Sequence, residues 1–297
     1  MVVGQVIRRT LVDVPEFWSG VDRLAYWVLL PSLLFAKIST MQLGAEFVGA
    51  FAVTVTAGFV AAFAFATVAS LMAGFDGPVA SSVVQGASRH NTFIALAVTE
   101  RLFGPVGQAS AYLASSILIP ITNVAVVVAI VLLHNSTTTN PSLGRAVVRD
   151  IVRNPLLIAV GAGLIFKALG LGGLPILHDM ADLLGRAALP SVLLSIGAGI
   201  KLDGLRASIP PIVVATIGKM VVFPAVILAC AMLVGLGLVP ASVAMIYGSC
   251  ATATSSYALA RQMGGDAPLA ATIVTLQTLM SFLTIPLAIA ITRAAFG

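Results

Sequence analysis

Four long stretches of the chain contain no Asp, Glu, Lys or Arg and are apolar on every face. They are residues 47–75, 102–144, 220–260 and 267–292. Each is long enough for one or two membrane spans of about 20 residues. Membrane-spanning strands would instead alternate apolar and polar residues over about ten positions. The pattern therefore predicts an all-α polytopic membrane protein.

The same pattern, followed along the whole chain, predicts nine complete spans. They are residues 21–39, 44–73, 79–102, 106–133, 154–171, 183–201, 207–237, 240–263 and 268–292. Between the fourth and the fifth span lies a polar stretch with an Asn-Ser-Thr-Thr-Thr-Asn-Pro run, a composition typical of a linker.

The chain also contains an internal repeat, which organises these spans. Prolines pair at offsets of 159, 162 and 166 residues: Pro31 with Pro190, Pro78 with Pro240, and Pro120 with Pro286. Five spans per repeat is an odd number, so the second copy must enter the membrane from the opposite side. The sequence thus predicts an inverted repeat of five plus five helices: residues 1–133, a linker loop at 134–153, and residues 154–297.

The first helix of this plan is short. Nine apolar or helix-starting residues, 154–162, precede Gly163, whereas only three residues precede the matching Gly4. We expect residues 1–7 to be the end of a truncated first helix, shortened by a start codon placed too far downstream or by the way the chain was produced.

The distribution of Lys and Arg predicts the orientation in the membrane. If the 134–153 loop is cytoplasmic, nine of these cations lie on the cytoplasmic side and five on the other side. Cytoplasmic loops carry the excess of positive charge. We therefore expect a multi-pass protein of the cell (inner) membrane with a cytoplasmic central loop and both termini outside.

Composition supports the membrane assignment and excludes several other classes. Hydrophobic residues make up 59% of the chain and charged residues 9%, with a mean hydropathy of +1.07. About a quarter of the residues in soluble domains are charged. The net charge of +5 does not indicate nucleic-acid binding, because the cations lie mostly at helix ends. Cys230 and Cys250 lie in apolar runs and predict neither a disulfide nor a metal site.

Two cations lie near the middle of predicted spans and therefore near the middle of the membrane. Arg89 lies in span 79–102 and Lys219 in span 207–237. A charge at this depth costs about 2.5 to 3.5 kcal/mol and needs a cavity, a partner or a charged ligand. Glu100 follows Arg89 by eleven residues, which is about 16 Å along a helix and too far for a direct bond. The two cations therefore indicate an anionic substrate.

Polar residues cluster at the same place in each repeat. The first cluster surrounds Arg89, and the second runs from Gly248 to Ser256. Ser, Thr and Gly weaken a helix here, since their side chains compete for backbone hydrogen bonds or leave the backbone free. We expect a broken helix at each cluster, with the positive ends of half-helices directed at an anion.

The chain resembles the auxin efflux carrier family, which includes plant auxin exporters and bacterial malate and malonate permeases. The resemblance rests on residues 20–35 (GVDRLAYWVLLPSLLF), Asn91, the PITN run at 120–123, and residues 257–265 (YALARQMGG) leading to 276–286 (LQTLMSFLTIP). It implies ten helices and a panel of helices 1, 2, 6 and 7 that dimerises. A moving domain of helices 3 to 5 and 8 to 10 would transport by an elevator motion. Its discontinuous helices 4 and 9 would cross at the substrate, although neither cluster carries the family's usual proline.

The polar clusters, the two cations and the resemblance together define a set of candidate substrate-binding residues: Arg89, His90, Asn91, Thr92, Asn123, Lys219, Thr252, Thr254 and Ser255. Structural roles stay open for several of them. Arg89 could anchor one broken helix to the carbonyls of the other, and Lys219 could brace the second break. Asn123 could join helices, as could Gln277. His90 is the candidate for proton coupling, because its usual pKa lies near physiological pH.

Three classes of function are compatible with a polytopic membrane protein. The first is a secondary transporter for a small organic anion, a mono- or dicarboxylate, with H⁺ as the candidate coupling ion. The second is a sodium-coupled organic anion symporter of the related bile-acid-symporter fold, which needs carboxylate or extra oxygen ligands at the crossing. The third, a membrane-embedded enzyme, needs a catalytic motif that the spans lack. The three histidines have no metal-ligand spacing, so no cofactor is expected.

Overall fold

The computed structural model describes residues 2–41, 44–134, 152–199 and 208–297, and the described residues are helical without strands. The predicted linker loop, residues 134–153, lies almost entirely outside them. Five helical stretches of the described chain are long and apolar enough to cross a membrane, and the longest contains two of the predicted spans, 79–102 and 106–133. The five stretches are Glu46–Met72, Gly77–Leu133, Pro175–Ala198, Ile209–Leu233 and Ala267–Phe296.

The helices of the described residues follow one another in this order: α1 Val2–Thr10, α2 Pro15–Leu24, α3 Leu30–Thr40, α4 Ala45–Met72, α5 Gly77–Ser88, α6 Thr92–Leu133, α7 Pro155–Ala168, α8 Pro175–Arg186, α9 Ala188–Gly199, α10 Ile209–Ile217, α11 Phe223–Leu233, α12 Leu238–Ser249, α13 Ser255–Met263 and α14 Ala267–Phe296. Short π-helical turns, Ala25–Leu29 and Gly218–Val222, connect α2 to α3 and α10 to α11.

Two predicted spans begin earlier in the structure than the apolar pattern indicated. Helix α2 starts at Pro15 and helix α8 at Pro175. Proline suits the first position of a helix, because its fixed φ is helical and the N–H that it lacks would have no helical partner there. Both helices are amphipathic and carry three Asp, Glu or Arg residues each, which hid them from a search for uncharged runs: Glu16, Asp22 and Arg23 in α2, and Asp179, Asp182 and Arg186 in α8.

Proline also accounts for the π-helical turns. In each, the widened turn closes with a bond to a carbonyl five residues back: Leu30 N–H to Ala25 O, and Phe223 N–H to Gly218 O. The next residue in each case is a proline, Pro31 or Pro224. A proline inside a helix removes one backbone donor and crowds the preceding turn. The chain accommodates it by widening one turn.

Helix α6 contains a sharp kink at Gly104, whose φ of 55° and ψ of −145° are not helical. Only glycine adopts this conformation readily. The kink falls between the predicted spans 79–102 and 106–133, so the sequence located the boundary correctly.

The chain forms two compact units, each built from two separate segments. The first unit comprises Met1–Leu43 and Val148–Leu202, and the second comprises Gly44–Val147 and Asp203–Gly297. The first therefore contains helices α1 to α3 and α7 to α9, and the second contains the others. In the family's numbering α1 is helix 1 and the nine predicted spans are helices 2 to 10. The first unit then contains helices 1, 2, 6 and 7 and the second contains helices 3 to 5 and 8 to 10, which is the grouping that the family resemblance implied.

Close helix contacts and a few polar bonds hold the first unit together. A Cβ added at Gly4 would lie 2.0 Å from the carbonyl oxygen of Leu194, so only glycine permits this approach of α1 to α9. Between α3 and α8, Lys37 forms an ion pair with Asp182. The hydroxyl of Ser39 lies 2.9 Å from Nε2 of His178.

Helix α5 is the central helix of the second unit. All of its residues from Ala80 to Ser88 are buried. Its apolar side chains pack with residues of α4, α6, α10 and α14, among them Ala66, Ala129, Ala215 and Ile273. The residues that follow α5 are thereby held inside the unit, where the candidate site lies.

Candidate functional site

Two non-helical segments, which we call the paired breaks, are the centre of the candidate site. Residues 89–91 separate α5 from α6, and residues 250–254 separate α12 from α13. Arg89 and Cys250, the residues that end α5 and α12, have the same backbone angles, φ −75° and ψ 161°. When the two helix ends are aligned, Arg89 corresponds to Cys250. The sequence offset of 162 would instead pair Arg89 with Ala251, one residue later.

The two breaks bond to each other. The N–H of Asn91 donates to the carbonyl of Ala251 at 2.9 Å. The hydroxyl of Thr252 donates to the carbonyl of Gln85 at 3.0 Å. The thiol of Cys250 lies 3.8 Å from the carbonyl oxygen of Asn91. The first of these bonds pairs two backbone groups that lie outside the helices, and the second ties the second break to the last turn of α5.

Gln277 of α14 joins the second break to the last turn of α5 through a fully buried amide. Its Oε1 accepts from the N–H of Thr252 at 3.0 Å, and its Nε2 donates to the carbonyl of Gly86 at 3.0 Å. The same Nε2 lies 3.4 Å from the carbonyl of Ala215 in α10. From the sequence, Gln277 is expected only to join helices, and this specific bridge is not predicted. The sequence signal for this role is a single amide side chain in the apolar run 267–292, since a buried amide needs hydrogen-bond partners.

Arg89 reaches from the first break to two other segments. Its Nη2 donates to Oδ1 of Asn123 at 3.1 Å and to Oγ of Ser255 at 3.0 Å. Asn123 lies in the second half of α6, and Ser255 is the first residue of α13. Three of the predicted site residues are therefore in direct contact.

Lys219 lies in the π-helical turn after α10 and is fully buried. Its Nζ donates to the carbonyl of Tyr247 at 2.9 Å and lies 4.1 Å from the centre of the Phe223 ring. Tyr247 is in the last turn of α12. The structure therefore places this lysine against the end of the helix that leads into the second break.

His90 and Asn91 are buried in the first break. The His90 ring lies 5.3 Å from the ring of Tyr247, and its two nitrogens have no hydrogen-bond partner among the described residues. Oδ1 of Asn91 accepts from the N–H groups of Phe93 and Ile94, both at 3.1 Å, so Asn91 caps α6. Its Nδ2 lacks a partner within the described chain. Thr92, the first residue of α6, is also buried.

The start of α13 is the most accessible part of the site. Thr254 precedes the helix without a side-chain bond to its first turn, and it is exposed. Ser255 is half-buried. A helix N-terminus carries about half a positive charge. Because Arg89 bonds to Ser255, its guanidinium lies beside the N-terminus of α13 in the second unit.

Positive charge dominates the interior of the described chain. Arg89 and Lys219 are buried, whereas none of the described Asp and Glu residues is. No group of three or more His, Cys, Asp or Glu side chains within the described ranges could hold a metal ion. Chemically, the site offers guanidinium, amide and hydroxyl donors, which suit a carboxylate.

Tyr247 belongs to this site and was not among the predicted residues. Its hydroxyl donates to the carbonyl of Ala111 at 2.8 Å and lies 2.7 Å from the hydroxyl of Ser115. It therefore ties α12 to α6 beside His90. A tyrosine in an apolar run was a usable signal, because a buried phenol needs a hydrogen-bond partner.

Comparison with known proteins identifies the family of the chain. Among curated proteins, no sequence matches the chain significantly. Residues 14–289 match the family model described as membrane transport protein, which includes most of both units. The chain therefore belongs to the membrane transport protein family, that of the auxin efflux carriers.

Proposed function

We propose that this family member is a secondary transporter for a small organic anion, a mono- or dicarboxylate, of the bacterial malate and malonate permease type. The observation that carries the proposal is the position of Arg89. Its guanidinium bonds to Ser255 at the start of α13. None of the described Asp and Glu residues of the second unit is buried.

The electrostatics of this position favour an anion. A guanidinium and a helix N-terminus repel each other, because both are positive. A carboxylate placed between them would interact favourably with both. Arginine can bind a carboxylate through two parallel hydrogen bonds, and helix N-termini bind anions through their free N–H groups. Asn123 keeps the guanidinium in place from the other side.

The other candidate residues surround this position in the proposal. Thr254 and Ser255 offer hydroxyl groups at the accessible side. His90, Asn91 and Thr92 lie in the first break, where the His90 nitrogens and the Asn91 Nδ2 are available for a second polar group of the ligand or for a coupling proton. Thr252 and Lys219 hold the helix ends at the breaks in place, because they donate hydrogen bonds to the backbone carbonyls of Gln85 and Tyr247.

The proposed mechanism is alternating access of the elevator type. In this proposal, residues 1–133 and 154–297 are inverted repeats, and the discontinuous family helices 4 and 9 are those interrupted by the paired breaks. The second unit would carry the anion, and the first would act as the fixed, dimerising panel. The proposal is supported by the compact units, each of which takes helices from both repeats.

The alternative is a sodium-coupled organic anion symporter of the bile-acid-symporter fold. Carbonyl and hydroxyl oxygens are plentiful at the breaks, and these are possible Na⁺ ligands. However, no carboxylate of the described residues is buried there. The organic anion carrier without a sodium site therefore remains the preferred proposal.

Uptake by purified protein in proteoliposomes tests the proposal. Malonate, malate, succinate and aromatic carboxylates are offered in turn as labelled substrates. We expect at least one to be taken up, and Arg89→Ala to abolish that uptake. Arg101→Ala is the matched control, since Arg101 is exposed on α6 and should be dispensable. Uptake by folded Arg89→Ala protein at the unmodified rate would mean that the arginine is structural.

A further inference from the structure

Two equivalent backbone carbonyls at the paired breaks are bonded in different ways. Gly86 and Tyr247 are each the third residue from the end of a 12-residue helix, α5 or α12. The carbonyl of Gly86 accepts from the neutral amide of Gln277 at 3.0 Å. The carbonyl of Tyr247 accepts from the ammonium group of Lys219 at 2.9 Å. At this carbonyl the end of α12 therefore has a buried cation as its partner, and the end of α5 has a neutral amide.

The surroundings of Lys219 explain how a charge is tolerated there. The lysine has 0% exposure, so water does not solvate its ammonium group. The C-terminal end of a helix carries partial negative charge, and Nζ lies at that end of α12. The face of the Phe223 ring, 4.1 Å away, also attracts a cation. A helix end, a carbonyl and an aromatic face together replace the missing solvent.

The same kind of place binds metal cations in other carriers. In transporters with broken helices, half-helix C-termini and unwound carbonyls coordinate the coupling Na⁺. The end of α12 offers such groups: the Tyr247 carbonyl, and the Ser249 carbonyl bonded at 2.8 Å by the hydroxyl of Thr284. The chain supplies its own cation at this place.

We propose that Lys219 is a built-in cation that acts where a coupling metal ion would otherwise bind, so that anion binding and transport need no Na⁺. This inference rests on the proposed function, because it concerns the coupling of that same site. Lys219 is then a positioning residue: it holds the end of α12 and, through it, the second break. Its Nζ bonds to Tyr247 and need not contact the transported anion.

The first test measures thermal unfolding and uptake of the purified protein with Na⁺ replaced by choline. Wild type should be unchanged in both. Lys219→Ala should lose about tenfold or more of its uptake rate in choline, the order expected when a buried charge-assisted hydrogen bond is removed. Addition of propylammonium, which restores the missing amine, should recover stability and uptake. Choline at the same concentration should recover neither.

Lys37→Ala is the matched control, because Lys37 is a bonded lysine of the first unit. It should gain nothing from propylammonium beyond what choline gives. The inference is overturned if Na⁺ stabilises or activates wild type, if Lys219→Ala matches wild type in choline, or if the amine rescues both variants equally. If Lys219→Ala does not fold in choline, folding with propylammonium supports the inference and failure to fold with it overturns it.

The two proposals fail in different ways. If no carboxylate stabilises or crosses with wild type, the proposed function is wrong, while the amine rescue of stability can still be observed. If carboxylates are carried but require Na⁺, the proposed function holds and the role of Lys219 is wrong.

Discussion

At the scale of single residues, a few buried polar side chains decide how the second unit holds its two breaks. Gln277 ties the second break to the helix end before the first break, since it accepts from Thr252 and donates to Gly86. A buried backbone group left without a partner costs about 1–3 kcal/mol. The side chain of Gln277 is therefore more than a filler between helices, and its loss should loosen both breaks together.

Replacement of Gln277 by Leu tests this. The variant keeps the size of the side chain and leaves the N–H of Thr252 and the carbonyl of Gly86 without their partner. We expect a loss of about 1–3 kcal/mol in stability, measured as a lower thermal unfolding midpoint in detergent. Thr275→Val on the same helix is the control, because Thr275 bonds only to the carbonyl four residues earlier. Equal midpoints for both variants would contradict the bridging role.

His134 provides a prediction on pH outside the spans. It ends α6, and its Nε2 lies 3.0 Å from the hydroxyl of Ser81. Burial lowers the pKa of His134, partly opposed by Asp76. The folded protein therefore binds this proton less readily than the unfolded chain, so stability is lost as pH falls below the ordinary histidine pKa. Thermal unfolding between pH 7.5 and 5.5 should show a smaller loss for His134→Gln than for wild type.

Part of this network could be predicted from the sequence. Arg89, Asn123 and Ser255 were named as site residues, and they are in contact. Arg89 and Lys219 were visible because a charge in an apolar run is costly. The role of Tyr247 and Gln277 could not be derived, since it depends on which backbone carbonyls of other helices lie opposite them.

At the scale of elements, the two breaks form without proline. Ser, Thr, Gly and Asn surround them, and the freed backbone groups bond across to the other break. These residue types weaken a helix, and each non-helical segment lies within one of the polar clusters. The exact helix ends could not be predicted, because they depend on bonds between segments distant in sequence. The amphipathic helices α2 and α8 were likewise missed in part, since charge hid their apolar faces.

Close packing of α5 gives a prediction at this scale. A Cβ added at Gly86 would lie 2.8 Å from Cγ2 of Ile273 and 3.1 Å from Cβ of Ala215. Gly86→Ala should therefore push α5 from α14 and α10, at a cost of about 1–3 kcal/mol. Gly49→Ala on α4 is the control, because nothing lies within 4 Å of its added Cβ. A Gly86→Ala midpoint at or above that of Gly49→Ala would contradict this packing.

At the scale of the whole molecule, the family assignment and the two compact units agree. The match to the family model covers residues 14–289 and so includes most of both compact units. Family and membrane character could be predicted from motifs and composition, because both are spread along the chain. The grouping of helices came from the resemblance, since nothing in the apolar pattern says which spans pack together. The inverted arrangement and the organic-anion substrate stay predictions.

Transport coupling is a whole-molecule property. Proteoliposomes with an imposed Na⁺ gradient should take up the substrate no faster than those without one, because Lys219 supplies the cation at the end of α12. A proton gradient, imposed separately, tests whether H⁺ is the coupling ion. Accumulation driven by Na⁺ alone would favour the symporter alternative.

The central claim is that a carboxylate binds at Arg89, and ligand-dependent stabilisation measures this most directly. A ligand that binds only the folded protein raises the unfolding midpoint with concentration. For wild type we predict a saturable rise with at least one of malonate, malate, succinate or an aromatic carboxylate, and for folded Arg89→Gln a rise lost or shifted to far higher concentration. An unchanged concentration dependence in Arg89→Gln would contradict the account.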